Sequence, residues 1–373
     1  MKKILLVANV AKEHVLKFHV PTIKALSEDG WQVDVACGGK EDVPYCHHKY
    51  ELPIDRSPFK THFIRAIKQL RTIIDKEKYD VVYCHTEVGG IVARLAASPF
   101  RKQGLKVVKL DHGLYFYRGA SWIQWFIHYP VDKWLSKKTD TFILINKEDY
   151  SLVTRRFRSC KTYLIDGIGI KTDKFQPVPT DIRAIYRTEL HIPQDACVLI
   201  YFAEVSENKN QRYLLNGLKE LVKQDKNIYL VLAGRDLTNG VMLLYAKRKG
   251  VDKHVRFLGW RDDVNNLYSM ADICTASSIR EGFGINIVEA MCCGIPVVAT
   301  NNRGHATIIR DGENGLLVKL NDVSTFVKGV LELKNNPSKA SQLADTASTE
   351  IEKYSSDVIT KKIVCILNNE LIV

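Results

Sequence analysis

Glu281-Gly282-Phe283-Gly284-Ile285-Asn286-Ile287-Val288-Glu289-Ala290 is the stretch on which the reading of this chain turns. It follows a short apolar run ending near Ala276 and opens a helical pattern that continues to about Cys292. Two glycines around one aromatic let backbone approach a ligand closely and leave amide N–H groups free. A helix N-terminus aimed the same way is an anion site. Glu289 falls about one turn into that helix and Glu281 sits in the loop before it. Each carboxylate can accept hydrogen bonds from hydroxyls, as on a sugar and a ribose. A strand–turn–helix junction with incidental acids produces the same pattern, so the surrounding chain has to decide.

Outward from this segment, apolar runs of four to eight residues alternate with amphipathic ones. Upstream, the strands expected are Lys3–Val10, Gln32–Cys37, Asp80–Cys84, Lys106–Leu110, Thr141–Ile145 and Lys161–Ile165. Between them lie helical patterns such as Phe63–Lys76, where Ile67, Leu70, Ile73 and Ile74 share a face. Strands without strict alternation, joined by helices, indicate a parallel sheet covered on both sides. The pattern breaks at Thr172–Thr180, which holds Pro177 and Pro179 and reads as a linker. It restarts with Val198–Ala203, Tyr229–Ala233, Val255–Gly259, Ile273–Ala276, Pro296–Thr300 and Gly315–Val318. The fold class is therefore α/β, with two doubly wound Rossmann-like domains in tandem, facing each other across a cleft. The expected bounds are 1–175, 176–355 and a final helix, 356–373, that crosses back to the first domain.

Length agrees with this division: 373 residues suit two domains of roughly 150–200 residues each. A hydrophobic share of 46% with 26% charged residues excludes a disordered, collagenous or coiled-coil chain. No run approaches the roughly 18–20 apolar residues of a membrane-spanning helix. Ile4–Ala8 after Lys2-Lys3 imitates a signal peptide but meets Lys12, Glu13 and His14 too soon, and reads as a buried strand. Nine cysteines without a CxxC spacing suggest neither a disulfide framework nor a zinc site. A cytoplasmic protein is expected.

The net charge of +12 is uneven: residues 1–175 hold 30 Lys+Arg against 19 Asp+Glu, while the remainder hold 24 against 23. Two basic stretches in the first half interleave with apolar residues, Phe59–Arg71 and Tyr115–Lys138. The second contains Arg118, Trp122, Trp125, Phe126, Lys133, Trp134, Lys137 and Lys138. Such surfaces suit an anionic membrane face or nucleic acid. A solvated helix face over core aromatics is the plainer source of the same pattern.

In open parallel sheets the ligand site lies beyond the carboxyl ends of the strands. Asn208-Lys209-Asn210 follows one such end, where a cation can neutralise a diphosphate, although a single lysine is commonly surface charge. Asp111-His112-Gly113 ends a strand of the first domain and would turn His112 toward the cleft, although a packed histidine is the default. Arg303-Gly304-His305 follows the strand ending at Thr300, where Arg303 either holds phosphate or pins its loop. Glycine turns, cations, a histidine and two carboxylates at strand ends describe a cleft for a phosphorylated polyhydroxyl compound.

These residues, in this order, resemble the family-4 (GT4) retaining glycosyltransferases with the GT-B fold, over almost the whole chain. Glu281 and Glu289, eight residues apart around Gly-Phe-Gly, resemble the hallmark of that group. Phe18-His19-Val20-Pro21, Asp111–Gly119, Ile145–Tyr150, Lys209-Asn210-Gln211 and Arg303-Gly304-His305 are similar to bacterial exopolysaccharide and capsule transferases of the EpsD type. The resemblance implies that Glu281, with backbone amides of Phe283, Gly284 and Ile285, binds the transferred sugar. It implies that Glu289 holds the ribose, Lys209 the diphosphate, and backbone near Trp260 and Arg261 the base, with His112 beside the sugar. Relatives often carry Gly-Arg where this chain has Ala203-Glu204, so Arg303 is expected to supply the missing phosphate charge.

The implied activity is transfer of a sugar, with retention, from a nucleotide-diphosphate donor (a UDP-sugar by resemblance) to a lipid-diphosphate-linked saccharide. The setting would be exopolysaccharide, capsule or O-antigen assembly at the inner face of the cell membrane, reached through the basic, aromatic first domain. No Asp-x-Asp pair is placed to hold a cation, so no metal and no cofactor are expected. Two alternatives remain at this point: a nucleotide-sugar hydrolase or epimerase of the same fold, and a nucleotide-sugar-binding protein without catalysis. A nucleic-acid-binding module is disfavoured, because no RNP, KH or helix-turn-helix pattern is present.

Overall fold

The computed structural model describes residues 1–54, 62–157, 161–177 and 179–371. The chain divides into two units, Met1–Gly169 together with Ser356–Val373, and Ile170–Ser355. The first division thus falls ahead of the 175/176 boundary read from the prolines, and the residues of that linker belong to the second unit.

Unit 1 carries β1 (Lys3–Val10), β2 (Gln32–Gly38), β3 (His48–Glu51), β4 (Val81–Cys84), β5 (Lys106–Asp111), β6 (Thr141–Leu144) and β7 (Lys161–Leu164). They form one sheet in the order β3-β2-β1-β4-β5-β6-β7, with every pairing parallel. The inner strands are buried on both faces, which is why their sequences run apolar without alternation. Leu5, Val7, Val82 and Cys84 pack with Ala66, Leu70 and Ile74 of the helix His62–Glu77 and with Val88, Val92 and Ala96 of the helix Glu87–Ala97. Phe59, Lys60 and Thr61 of the first basic stretch lie outside the described residues.

Two features of unit 1 escape the sequence pattern. β3 is a polar, half-exposed edge strand, with the Lys49 ammonium bonded to the carbonyls of Gly39 and Glu41 at 2.6 Å each. Beyond β1, Ala11–His19 winds as a π-helix before the α-helix Val20–Glu28 begins. Pro21 brings no N–H to the i−4 bond at this junction, which helps explain the change of winding.

Unit 2 carries β8 (Cys197–Phe202), β9 (Ile228–Ala233), β10 (Val255–Gly259), β11 (Ile273–Ala276), β12 (Val297–Thr300) and β13 (Leu316–Val318). Their order is β10-β9-β8-β11-β12-β13, again all parallel. Both units are therefore doubly wound and Rossmann-like. The direction of winding reverses between β1 and β4 in unit 1 and between β8 and β11 in unit 2, the positions where such sheets bind ligands.

The last helix, Ser356–Asn369, belongs to unit 1. There the Asn368 side chain accepts from Lys2 Nζ at 3.1 Å and Trp31 Nε1 at 3.2 Å, and donates to Asp29 at 2.8 Å.

Candidate functional site

Three loops of unit 2 are stitched together beyond β8, β11 and β12. Ile279 N–H donates to the Asn208 carbonyl at 2.8 Å, and the Asn208 amide donates to the Arg280 carbonyl at 3.1 Å. The Ser277 hydroxyl donates to the Lys209 carbonyl at 2.6 Å. Thr300 Oγ1 and Asn302 Nδ2 both donate to the Ser278 carbonyl, at 2.8 and 2.9 Å. The backbone that carries Lys209 and Glu281 is thus held by small polar side chains placed just after two buried strands.

Within this frame the two residues meet: Lys209 Nζ lies 2.5 Å from Glu281 Oε1. Ser278 Oγ donates to the same carboxylate oxygen at 2.6 Å and is itself 2.7 Å from the buried Tyr201 hydroxyl. Arg303 Nε donates to the Glu281 carbonyl at 3.3 Å. That side chain is buried, with its Nε against the Glu281 backbone. Gly304 completes the contact: a Cβ there would come within 2.7 Å of Glu281 Cβ and 2.9 Å of its carbonyl.

The helix Ile285–Cys292 begins here, with Gly284 as its N-cap residue. Its opening amides lack intrahelical partners, as at any helix start. Phe283 turns its ring inward, 5.6 Å from that of Tyr354, so any ligand contact by Phe283 falls to its backbone. His305 is buried beside Gly284, and its Nδ1–H donates to the Thr300 carbonyl at 2.8 Å. Burial brings this imidazole down to about 4, against the pull of the Glu281 carboxylate, so it is neutral at physiological pH.

Glu289 sits deeper on the same helix. Burial pushes its carboxyl up to about 7, against the Tyr268 hydroxyl, which donates to it at 3.4 Å. Trp260 and Arg261 make different contacts. Arg235 stacks over the Trp260 ring at 5.0 Å, and Trp260 Nε1 donates to Asp262 at 3.0 Å. Arg261 forms a fork with both oxygens of Asp263, at 2.7 and 2.5 Å, which holds that carboxyl down to about 2.

Glu204 is exposed, with the Ser206 hydroxyl 3.5 Å away, and it does not pair with Lys209. A side chain on Gly234 would lie 2.0 Å from the Ala203 carbonyl oxygen, and its φ of +153° also favours glycine.

His112 belongs to unit 1, immediately after β5. His85, after β4, and His14 and His19, on the π-helix after β1, surround it. Beneath lies a buried ion network: Lys109 Nζ is 2.6 Å from Asp111 and 3.7 Å from Asp132, and Arg94 donates to Asp132 at 2.8 Å.

Asp132 ties the inner face of the helix Trp122–Ser136 to this network, while Trp125 and Tyr129 pack on Phe116. The helix starts with a capping box between Ser121 and Gln124. Its outer face is apolar: Trp122 and Phe126 are each 76% exposed, and Ile123, Ile127, Val131 and Trp134 join them. Lys133 and Lys138 flank this stripe, with the Lys138 ammonium 5.0 Å from the Trp134 ring centroid.

Sequence reading missed Ser277, Ser278, Asn302 and Tyr268, which orient the two glutamates and the lysine, and Arg235 beside Trp260. The nearest signal is Ser277-Ser278 directly after the apolar run of β11. It also missed His19 and His85 as companions of His112.

Residues 182–350 match the family described as glycosyl transferases group 1, and residues 3–146 match glycosyl transferase 4-like proteins. EpsD of Bacillus subtilis (strain 168), assigned as a glycosyltransferase, is 39% identical over 95% of this chain and 93% of its own length. An Escherichia coli UDP-Gal:α-D-GlcNAc-diphosphoundecaprenol α-1,3-galactosyltransferase is 23% identical over 73% of this chain and 71% of its own. HepE of Anabaena, solved in complex with UDP and glucose, superposes with a TM-score of 0.80 at 20% identity, covering 99% of this chain and 100% of that one. Sucrose-phosphate synthase of Thermosynechococcus elongatus has the same score and identity, covering 99% of both chains. With 39% identity over nearly the full length of both chains, this chain belongs to the family-4 glycosyltransferases with the GT-B fold, of the EpsD type.

Proposed function

We propose that the protein transfers a sugar, with retention of anomeric configuration, from a UDP-sugar to a saccharide carried on a lipid diphosphate, in exopolysaccharide, capsule or O-antigen assembly. The observation that carries this reading is the Lys209–Glu281 pair at the opening of the helix Ile285–Cys292. It sets a cation for a diphosphate beside a carboxylate for sugar hydroxyls, next to helix amides that favour an anion.

In the reaction the bond from the anomeric carbon to the diphosphate oxygen breaks, and a bond from that carbon to the acceptor oxygen forms. The acceptor proton passes to the departing diphosphate. The physical task of unit 2 is to stabilise that leaving group, and Lys209, the helix amides and Arg303 supply the charge without a metal at this position. Glu289 receives the ribose hydroxyls, and backbone near Trp260 and Arg261 the base. The galactosyltransferase relative, named for a UDP-sugar and a diphosphoundecaprenol acceptor, and HepE with its UDP and glucose support this choice of substrates.

A lipid-linked acceptor requires the protein at a membrane surface. Among the described residues no helix is long and apolar enough to cross a membrane. The apolar stripe of the helix Trp122–Ser136, flanked by lysines in the unit that holds most of the net charge, supports docking on an anionic bilayer at its cytoplasmic face. Each nearby cation contributes about 1 kcal/mol and each buried large apolar side chain about 1.5–3 kcal/mol.

The test is a panel of nucleotide sugars without added metal, read by thermal shift and slow donor hydrolysis, for the wild type and Glu281→Ala. A selective shift with one UDP-sugar, lost in the variant, supports the reading, and NMR of the anomeric signal of the product reports retention. A panel without any shift would sink it.

A further inference from the structure

Lys109 lies inside β5, a buried strand, and is 1% exposed, while Arg94 of the helix Glu87–Ala97 is wholly enclosed. Charges so placed are tolerated only when paired. Gly90 makes the room, since a Cβ there would come within 3.3 Å of Lys109 Cε. The Lys109 ammonium stands 2.6 Å from Asp111 Oδ2 and 3.7 Å from Asp132 Oδ1. Arg94 donates to that same Asp132 oxygen at 2.8 Å and to the Gly90 carbonyl at 2.9 Å. Burial alone would discharge Lys109, but Asp111 and Asp132 outweigh it and hold its proton above the ordinary lysine value. Against the same burial, Lys109 and the Gly113 amide keep the Asp111 carboxyl below the usual carboxylate range. Lys109 and Asp111 are therefore an ionised pair inside the unit.

A buried ion network is seldom the most stable choice, because apolar side chains of similar volume often serve a fold as well or better. Here it has a second consequence. The other oxygen of Asp111, Oδ1, accepts from the Gly113 N–H at 2.9 Å and closes a turn around His112. Gly113 stands at φ +136°, a backbone conformation that side chains rarely adopt. One residue on, the Leu114 N–H donates to Asp149 Oδ2 at 3.1 Å, and Asn146 Nδ2 donates to that oxygen at 2.7 Å. His112 thus rides on a turn strapped by two carboxylates, one of which is anchored in the ion network. Without Lys109, burial would raise the Asp111 carboxyl, and a protonated group is the weaker acceptor for the Gly113 amide.

We propose that Lys109, Arg94 and Asp132 are positioning residues for sugar transfer, which fix the Asp111 carboxylate and through it the turn that aims His112. The proposal rests on the reading that His112 stands beside the transferred sugar. None of the three touches substrate; they act through Asp111. Asp132 comes from the helix Trp122–Ser136, so the same network joins the helix with the exposed apolar stripe to the turn that bears His112. Helix and turn are one bonded piece, and the position of one sets the position of the other.

The test follows release of UDP from a panel of UDP-sugars by the full chain and takes the fastest of them for kinetics. Lys109→Met and Asp132→Asn are each expected to lower kcat about 10–10²-fold while the donor KM stays within about threefold. In Lys109→Met the ratio of variant to wild-type kcat should also fall as pH falls from 8 to 5, because the raised Asp111 carboxyl takes up its proton in that range. A purely structural role would lower the melting temperature and leave turnover per folded molecule, and that ratio, as they are. Should a single variant fail to fold, the charge-free set Arg94→Met, Lys109→Met, Asp111→Asn and Asp132→Leu decides. It is expected to fold and to stay slow. A kcat within twofold of wild type in the folded variants, or failure of every variant to fold, would overturn the assignment. No UDP release by the wild type would instead sink the proposed function, and unchanged turnover in His112→Ala the reading of His112, so the three failures are told apart.

Discussion

The ammonium of Lys209 rests 2.5 Å from a carboxylate oxygen of Glu281, two residues from adjacent strand ends that neutralise each other. Each is thereby kept in position by the other. Lys209→Met is expected to lower kcat/KM for transfer by about 10²–10³, the usual cost of losing one preorganised contact to developing charge. Glu281→Gln should cost a similar amount. The double variant is expected to lose less than the sum, because each single change also leaves its partner uncompensated. Steady-state kinetics on the four proteins checks this, and turnover within twofold of wild type in Lys209→Met would remove it from the diphosphate.

Gly304 offers a way to disturb Glu281 without touching its charge. Gly304→Ala places a methyl within 2.7 Å of Glu281 Cβ, and the loop has to shift. Donor affinity is expected to fall at least tenfold, with a stability loss of about 1–3 kcal/mol. Calorimetric titration with the donor, beside a denaturant melt, separates the two effects.

Glu289 gives a pH signature. Its carboxyl holds a proton to about 7 in the folded protein, whereas the unfolded chain releases it near 4.5. Between these values the folded state binds more protons, so stability falls as pH rises, by on the order of 1–3 kcal/mol by pH 8. Nucleotide binding should run the other way, because ribose hydroxyls donate best to the ionised carboxylate. UDP affinity is expected to strengthen as pH rises through 7. Glu289→Gln should flatten both profiles, in thermal melts and in titrations from pH 5 to 8.

The stripe on the helix Trp122–Ser136 predicts a separation of activities. Trp122→Ser with Phe126→Ser removes two large exposed apolar groups and should weaken binding to anionic liposomes by at least about 10². Transfer to a short-chain, water-soluble acceptor should stay near wild type. Flotation at moderate ionic strength reads the first and product formation the second. Equal flotation by both proteins would mean that this face is not the membrane contact.

What the sequence makes legible follows from how local the physical cause is. Buried parallel strands such as β8 and β12 must be apolar along their length, and that shows in single runs. β3 hides because an edge strand needs neither feature, and His48-Lys49-Tyr50-Glu51 reads as surface. Glu281 and Glu289 are legible because glycines and acids stand at fixed spacing around one turn, whereas Lys209 is marked only by its place after the end of β8. The partners that set their geometry, Ser278, Asn302 and Tyr268, come from separate loops and elements and carry no spacing of their own. The histidine group is less visible still, since 19, 85 and 112 meet only through strand order.

The helix Ser356–Asn369 means that unit 1 is written in two pieces, with all of unit 2 inserted between them. The chain leaves and returns at neighbouring points, where the Ile170 amide donates to the Tyr354 carbonyl at 2.9 Å and Ile170 bridges Ser355. During synthesis the whole of Ile170–Ser355 emerges before the helix that seats against Trp31 and Asp29. The second unit can therefore close its core on the ribosome while the first still waits for its final element, and the order of birth along the chain is not the order of completion.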